Sequence, residues 1–260
     1  MESNPNQRLT KSTISVVLTA FFAAALGVGS SLALADSTVE TGVAELSSKD
    51  ANSDGVKGIA PSKAVTLGMK TSGIDASEIA TYSRFAESLL SDATARVTAY
   101  GDGNVPAYAE YLKGVFIEGG FDPKDIHTLP LDETVSLIVR YRGDGTSNRK
   151  PVVFSSHMDV VPAEAGEWVR NPFELQQDET FYYGRGVLDN KFDVSMLTTM
   201  FVCLKVQGFV PSRDLIIAFT VDEESLQNTL QDLTNNHSNL IVSVYVIVVD
   251  GGDEAPTDTN

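Results

Sequence analysis

A histidine and an aspartate lie two positions apart in the segment SSHMDVVP, which runs from Ser155 to Pro162. The apolar run PVVF, residues 151–154, directly precedes this segment, so His157 and Asp159 are expected at the carboxyl end of a buried strand. An imidazole commonly binds a metal ion while a neighbouring carboxylate fixes its tautomer. A single histidine at a strand end is more often a hydrogen-bonded structural residue. The chemistry of this pair therefore depends on other ligands along the chain.

Acidic residues recur at the ends of later predicted strands and turns. Asp189 follows GRGVL, and Asp250 follows VSVYVIVV. Glu223 and Glu224 follow LIIAFTVD. Open α/β sheets bind ligands at the carboxyl ends of their strands, and one imidazole with several carboxylates is the donor set of a hydrolytic zinc site. Each residue also has a simpler interpretation: Asp189 as a helix N-cap, Asp250 as a turn residue and the glutamates as solvated loop charges.

The hydrophobic periodicity alternates between helix and strand patterns from residue 77 to residue 250. Helices are predicted over residues 77–95, 105–118, 189–207 and 225–237. Strands are predicted over residues 134–142, 151–156, 181–186, 213–221 and 241–250. This order predicts an α/β fold, a three-layer sandwich with a central mixed and largely parallel sheet.

Four motifs carry a resemblance to a known family. The segments SSHMDVVP, EW…NPF, YGRGVLDNK and GFVPSRDLIIAFTVDEES resemble, in order and spacing, the zinc-dependent di-metal exopeptidases and deacylases of peptidase family M20. This family includes acetylornithine deacetylase, succinyl-diaminopimelate desuccinylase, aminoacylase and carboxypeptidase G. The resemblance extends from about Ser83 to Gly252. It implies a catalytic domain of the zinc-peptidase type.

The resemblance also implies a set of metal ligands. His157 and Asp250 would bind one ion, Asp189 would bridge two ions, and Glu224 would bind the second ion. The expected cofactor is zinc, with two ions per site in the complete family. Cobalt and manganese are also compatible with a site rich in carboxylates.

Two further residues receive catalytic roles from the same resemblance. Glu223 would be the general base that takes a proton from an activated water, and Asp159 would orient His157. The implied reaction is hydrolysis of an amide bond in a small peptide or an N-acyl amino acid. The alternative is a secreted binding or interaction domain that keeps the scaffold without the chemistry.

The motifs cover only part of the family pattern. Complete members carry a lid or dimerisation domain and a last histidine ligand after it, whereas His127 precedes the motifs and His237 lies in the polar stretch DLTNNHSNL. We therefore expect residues 76–260 to be a partial catalytic domain, truncated at its C-terminus and weakly active or inactive alone. An uncovered sheet edge would also favour association.

The N-terminal segment has the pattern of a signal peptide. Arg8 and Lys11 precede an apolar run from Ile14 to Gly27, and Ala33-Leu34-Ala35 resembles a cleavage site. We expect residues 1–35 to be a signal peptide, residues 36–75 to be a linker or flexible arm, and the protein to be periplasmic or extracellular. No membrane attachment is expected after cleavage; a retained membrane anchor is the alternative.

Composition and missing motifs exclude several classes of function. The net charge of −16 argues against nucleic acid as a partner, because phosphate binding needs clustered lysine and arginine. The only cysteine, Cys203, lies in an apolar run and is expected to be a buried structural thiol. The sequence has no G-x-S-x-G elbow, no phosphate-binding P-loop and no H-E-x-x-H motif.

Overall fold

A computed structural model describes residues 8–11, 13, 14, 17 and 76–250. The chain divides by internal contacts into one unit of residues 1–9 and 84–260 and a second unit of residues 10–83. In the second unit, the structure describes mainly the start of a helix at residues 76–83. Most of the predicted signal peptide and all of the predicted arm lie outside the described residues. Among the described residues, none of the helices combines the length and apolar character needed to cross a membrane.

Helices and strands alternate along residues 76–250, as the periodicity predicts. The helices are α1 (Ala76–Thr94), α2 (Val105–Glu118), α3 (Lys191–Val206), α4 (Asn228–Asn236) and α5 (Ser238–Ile241). After the short strand β1 (Arg8–Thr10), the strands are β2 (Ile126–Leu131), β3 (Thr134–Tyr141), β4 (Val152–His157), β5 (Gln176–Gln177), β6 (Phe181–Tyr183), β7 (Leu215–Thr220) and β8 (Tyr245–Val248).

The central sheet has five strands in the order β2-β3-β7-β4-β8. Strand β3 pairs antiparallel with β2 and β7, whereas β4 pairs parallel with β7 and β8. The sheet is therefore mixed, with its parallel part at β7, β4 and β8. The predicted α/β fold with a mixed central sheet is confirmed.

Side chains alternate between the two faces of this sheet, and each face packs against helices. On one face, the ring of Phe201 in α3 lies 6.0 Å from the ring of Tyr141 and 5.8 Å from that of Phe154, measured between centroids. On the other face, Leu233 in α4 packs with Ile138 and Ile216 in a buried apolar cluster. Full burial of such a side chain stabilises the fold by roughly 1.5–3 kcal/mol. The sheet is thus held between two helical layers.

Helix α3 is buried along nearly its whole length although it contains several hydroxyl residues. The hydroxyl of Ser195 donates to the carbonyl oxygen of Lys191 at 2.7 Å, and that of Thr199 donates to the carbonyl oxygen of Ser195 at 2.8 Å. Thr198 makes the same type of bond to Val194 at 2.8 Å. Bonds to the preceding turn satisfy the buried hydroxyls without partners from other elements.

The structure differs from the predicted elements at several places, and the helix expected from residue 225 begins at Asn228. Strand β2 was not predicted, because IHTLPL has no clear alternation and contains Pro130, which an edge strand tolerates. The helix expected from residue 189 begins at Lys191. The strand expected over residues 241–250 is shorter: Ile241 ends α5, and β8 covers only Tyr245–Val248.

Candidate metal centre

The side chain of His157 lies at the carboxyl end of β4 and is 3% exposed. His157 is paired in parallel register with Thr220, the last residue of β7. Its Nδ1 atom lies 3.2 Å from the carbonyl oxygen of Asp159 and 3.3 Å from Oδ1 of the same residue. Asp159 therefore orients the ring from one side, which leaves Nε2 directed towards the other side.

Two carboxylates lie near the Nε2 atom of His157. Oδ1 of Asp189, from the loop before α3, is 3.0 Å away, and Oδ1 of Asp250, which follows β8, is 3.5 Å away. The three residues each offer a ligand atom, and these atoms all lie within 4.8 Å of one another. The imidazole is buried, whereas the Asp250 side chain is 44% exposed, so the group can be reached from solvent.

The donor set of this group fits a zinc ion. Zinc binds imidazole nitrogen and carboxylate oxygen, and the histidine at such sites commonly bonds through its other ring nitrogen to a carboxylate, here that of Asp159. Burial by itself would lower the pKa of His157, but hydrogen bonds to Asp159 and Asp189 raise it to about 11. The arrangement therefore favours a positive charge at this position, whether a proton or a metal ion.

Asp159 connects the loops that follow two strands. Its Oδ1 atom faces His157, and its Oδ2 atom accepts a hydrogen bond from the backbone N–H of Glu224 at 3.2 Å. The carboxylate is 2% exposed, so water competes little with these two hydrogen-bond partners. Asp159 thus fixes the backbone of the glutamate pair relative to the imidazole.

Glu223 and Glu224 lie in the turn that follows β7. Burial and the charge of Asp189 raise the pKa of Glu224 to about 7. Burial also raises the pKa of Glu223, and the charge of Asp250 adds to the effect. Glu224 lies outside the group of three ligand atoms within 4.8 Å. Of the four predicted ligands, the structure brings together His157, Asp189 and Asp250.

The preceding acid, Asp222, has a structural role in the same turn. Its carboxylate accepts hydrogen bonds from the backbone N–H of Asn228 at 2.7 Å and of Thr229 at 3.1 Å. These are orphan donors at the start of α4, so Asp222 caps that helix. Its backbone has a φ of 57°, which turns the chain sharply after β7. The turn gives Glu223 and Glu224 their position beside the site.

Sequence reasoning missed Asn190. Its Nδ2 atom donates to the carbonyl oxygen of Val249 at 3.0 Å and to Oδ1 of Asp250 at 3.3 Å. Asn190 therefore holds the segment that carries Asp250 beside the start of α3. It also occupies the N-cap position of α3, without a side-chain capping bond, so the alternative interpretation of Asp189 as the N-cap does not hold. The one feature of the sequence that could have indicated Asn190 is its position directly after Asp189, at the start of a largely apolar helix.

Three buried charged residues were also missed in the motif GRGVLDNKFD. Arg185, Lys191 and Asp193 are all nearly inaccessible to solvent. The Lys191 ammonium donates to the carbonyl oxygen of Arg96, and burial lowers its pKa to about 7. Burial, with the charges of Asp250 and Asp189, raises the pKa of Asp193 to about 7. Burial of a charged side chain cannot be read from periodicity, because charged residues are usually exposed.

A cavity of about 320 Å³ opens beside the candidate metal centre. His157, Glu223 and Asp250 are among its polar lining residues. Its apolar wall includes Leu230 of α4 and Val246 and Val248 of β8. The volume is at the lower end of the range of small-molecule sites.

The fold and the group of possible metal ligands around His157 have the features of an α/β metalloprotein, and comparison with known sequences shows which family this region resembles. Residues 153–256 match the model of Peptidase family M20/M25/M40. This stretch contains all six residues to which the sequence resemblance gives a role. The predicted resemblance to this family is therefore confirmed.

Curated relatives share this region. An acetylornithine deacetylase of Dictyostelium discoideum is 34% identical over 127 residues, which are 46% of this chain and 28% of that protein. The N-fatty-acyl-amino acid synthase/hydrolase PM20D1 of Bos taurus is 31% identical over 121 residues, 45% of this chain and 23% of that protein. The chain thus spans less than a third of the length of either relative.

Solved structures support the same fold. The di-peptidase Dug1p of Saccharomyces cerevisiae has a TM-score of 0.57 at 22% identity, covering 66% of this chain and 39% of that chain. The M20 family metallo-carboxypeptidase Sso-CP2 of Sulfolobus solfataricus has a TM-score of 0.55 at 19% identity, covering 65% of this chain and 37% of that chain.

Proposed function

We propose that this chain carries the catalytic part of a zinc-dependent exopeptidase or N-acyl amino acid amidohydrolase. The observation that carries the proposal is the position of the His157 Nε2 atom between the carboxylates of Asp189 and Asp250, 3.0 and 3.5 Å away. Asp159 orients the same ring through Nδ1. This combination is the donor set of a hydrolytic metal site with its orienting carboxylate.

His157, Asp189 and Asp250 would hold the first ion. Glu224 would contribute to a second ion, with Asp189 shared between the two. Bound zinc lowers the pKa of a coordinated water and polarises the carbonyl group of the substrate. Cobalt or manganese would supply similar chemistry at the same donors.

Glu223 would act as the general base. It is exposed, lines the cavity and follows the turn that Asp222 shapes, so a substrate in the cavity has access to its carboxylate. The carboxylate would take a proton from the attacking water and then deliver it to the nitrogen of the leaving amine as the amide C–N bond breaks. Asp159 would keep His157 in a single tautomer during this cycle.

The cavity supports a small substrate. A volume of about 320 Å³ fits a dipeptide or an N-acyl amino acid rather than a folded protein. Two relatives are named for such reactions, a di-peptidase and an N-fatty-acyl-amino acid hydrolase. The net charge of −16 speaks against a nucleic acid substrate.

We further propose that this chain by itself is weakly active or inactive. Among the described residues, the group of His157, Asp189 and Asp250 accounts for the first ion, and Glu224 belongs to no second group of three potential ligand residues. The lack of such a group around Glu224 supports an incomplete second metal site. The alternative function, a non-catalytic binding domain on the same scaffold, is favoured by the same observation.

Export remains our proposal for the location of the protein. Its support is the basic, apolar and A-x-A pattern of residues 1–35. Removal of this segment would leave residues 36–75 as an arm before the catalytic part. N-terminal sequencing of the protein isolated from its source tests this: a mature N-terminus at Asp36 supports export with cleavage, and an intact Met1 contradicts it.

The activity is tested on residues 36–260 by elemental analysis for zinc and by hydrolysis of dipeptides and N-acyl amino acids. We expect zinc to bind and turnover to be slow. Glu223→Gln should abolish that turnover without loss of zinc, while the exposed Glu174→Gln serves as the matched control. Absence of zinc binding would refute the metal site, and zinc binding without any turnover would favour the binding domain.

A further inference from the structure

Residues 95–99 directly follow α1 and lie against residues 157–159 of the candidate metal centre. The hydroxyl of Thr98 donates to the carbonyl oxygen of Met158 at 2.9 Å, and both residues are fully buried. The backbone N–H of Met158 donates in turn to the carbonyl oxygen of Thr220 at 2.9 Å. Because both backbone polar groups of Met158 are bonded, the backbone of residues 157–159 is held in one orientation.

The packing between these parts of the chain leaves little free space. Thr98, Asp159 and Asp222 line one small cavity of about 10 Å³. This volume is about the least that one water molecule needs. Residues 95–99 therefore lie close to the carboxylate that orients His157 and close to the turn that follows β7.

The same residues are also bonded to the start of α3, beside Asp189. The ammonium of Lys191 donates to the carbonyl oxygen of Arg96, and the lysine is fully buried. Its stem passes close to Gly186, where a Cβ atom would lie 2.8 Å from Cδ of Lys191. A side chain at position 186 would displace the lysine, which explains why this position is a glycine. Lys191 thus connects the segment that carries Asp189 to residues 95–99.

Residues 95–99 are themselves held by the last turn of α1 and by α2. The guanidinium group of Arg96 donates to the carbonyl oxygen of Asp92. Its central carbon lies 4.1 Å from the centre of the Tyr111 ring, which gives a cation–π contact. The hydroxyl of Tyr111 donates to Oδ2 of Asp92 at 2.5 Å. Two helices that carry none of the predicted ligands therefore set the position of residues 95–99.

We propose that Thr98 and Lys191 are positioning residues that set the distance between the segments carrying His157 and Asp189. This inference rests on the proposed function, because it concerns the same ligands. Each of the two residues holds one ligand segment against residues 95–99, so the imidazole and the carboxylate are arranged before an ion binds. Prearranged ligands bind an ion more tightly, because less conformational freedom is lost on binding.

Calorimetric zinc titration of the full chain tests the role of Thr98 without relying on activity. Thr98→Val keeps the shape of the side chain and removes the hydroxyl, so it should weaken zinc binding by about tenfold. Thr98→Ser keeps the hydroxyl and should bind zinc as wild type does. Thr94→Val is the matched control, because Thr94 is equally buried and its hydroxyl donates at 2.8 Å to Leu90 of its own helix. Full affinity in Thr98→Val, or an equal loss in Thr94→Val, would overturn the proposal.

A double-mutant cycle on zinc affinity tests whether the two residues act together. Lys191→Met should also weaken binding, and Lys191→Gln replaces it if it does not fold. Thr98→Val combined with the lysine variant should lose less affinity than the product of the two single losses, because either change alone breaks the connection between the ligand segments. Thr94→Val combined with the lysine variant should give the full product. A full product for Thr98→Val as well would contradict a common support.

Hydrogen exchange of the backbone amides in EDTA separates this proposal from the proposed function. Exchange at residues 157–159 should be faster in Thr98→Val than in wild type, and exchange at residues 189–191 should be faster in Lys191→Met. Thr94→Val should match wild type in both segments. Unchanged exchange in the two variants would refute the positioning role. If wild type binds no zinc, the proposed function fails, while the exchange measurement still tests Thr98 and Lys191.

Discussion

The Nε2 atom of His157 lies 3.0 Å from Oδ1 of Asp189, although 32 positions separate the two residues in the sequence. One residue ends β4 and the other precedes α3, and Asp250 joins them from the end of β8. Because β4 and β8 are parallel, their carboxyl ends lie at the same edge of the sheet. Sheet topology, rather than local sequence, therefore assembles the centre.

Replacement of Asp159 by asparagine should weaken zinc binding by about 10–100-fold. The carboxylate holds both the His157 ring and the backbone N–H of Glu224, so its loss loosens two predicted ligands. Calorimetric zinc titration of Asp159→Asn against wild type measures the effect. The exposed Asp178→Asn is the control, because the Asp178 carboxylate accepts hydrogen bonds from Thr180, Phe181 and Tyr183, none of which is a predicted site residue. Unchanged zinc affinity in Asp159→Asn would contradict the orienting role.

Replacement of Asp193 by asparagine should stabilise the metal-free protein near neutral pH. Burial, with the charges of Asp250 and Asp189, raises the pKa of this 9% exposed carboxyl from 3.8 to about 7. Between these values the folded protein keeps a proton that the unfolded chain has released. The contribution of Asp193 to stability is therefore greatest below pH 4 and falls as the pH rises to 7, by at most about 1.4 kcal/mol per pH unit.

Urea unfolding of Asp193→Asn and wild type at several pH values between 4.5 and 7.5, in EDTA, checks this sign. The free energy of unfolding of the variant should rise relative to wild type as the pH increases. Asp178→Asn is again the control, because hydrogen bonds from Tyr183 and from backbone N–H groups lower the pKa of Asp178 to about 2. Parallel pH profiles for Asp193→Asn and wild type would show that the carboxyl ionises normally in the fold.

The thiol of Cys203 should not react in the folded protein. Cys203 is buried in α3, and burial raises the pKa of its thiol to about 12, so the reactive thiolate is scarce near neutral pH. A colorimetric disulfide reagent should modify no cysteine under native conditions and one per chain in urea. Rapid modification of the native protein would refute the structural role expected from the sequence.

Strand β8 should promote association with a second copy of the chain. It forms one edge of the five-stranded sheet, and Tyr245, Val246 and Val248 are all exposed. Exposed apolar edges of this kind pair readily. Sedimentation velocity should show association that rises with concentration and is reduced in Val246→Lys. Val206→Lys, at an exposed apolar position of α3, should leave it unchanged. A wild-type protein that stays monomeric at high concentration would exclude this surface.

The sequence predicts the fold well where periodicity dominates and less well elsewhere. The range of α2, residues 105–118, agrees with the structure because Pro106 marks its start and Gly119 its end. Strand β2 and helix α5 were missed because neither has a clear hydrophobic period. Tertiary packing decides such segments.

The candidate metal centre shows the same division. Polar residues at strand ends indicate His157 and Asp250, because the carboxyl ends of β4 and β8 meet at one edge of the sheet. Asp189 comes from the loop before α3, so its place beside them depends on the path of that loop. The contribution of Asn190 depends on hydrogen bonds to Val249 and Asp250 that only the folded chain defines. Its sequence context is a short polar run, which does not indicate what the side chain contacts.

The parallel register of β4 also constrains how sequences of this kind can change in length. His157 faces Thr220 at the end of six paired residues that begin at Val152. Deletion of one residue within β4 would turn the imidazole to the opposite face of the sheet, and deletion of two would shift it by roughly 6–7 Å. In related sequences, insertions and deletions in this part of the chain should therefore occur in the loop at residues 142–151, while β4 keeps its length.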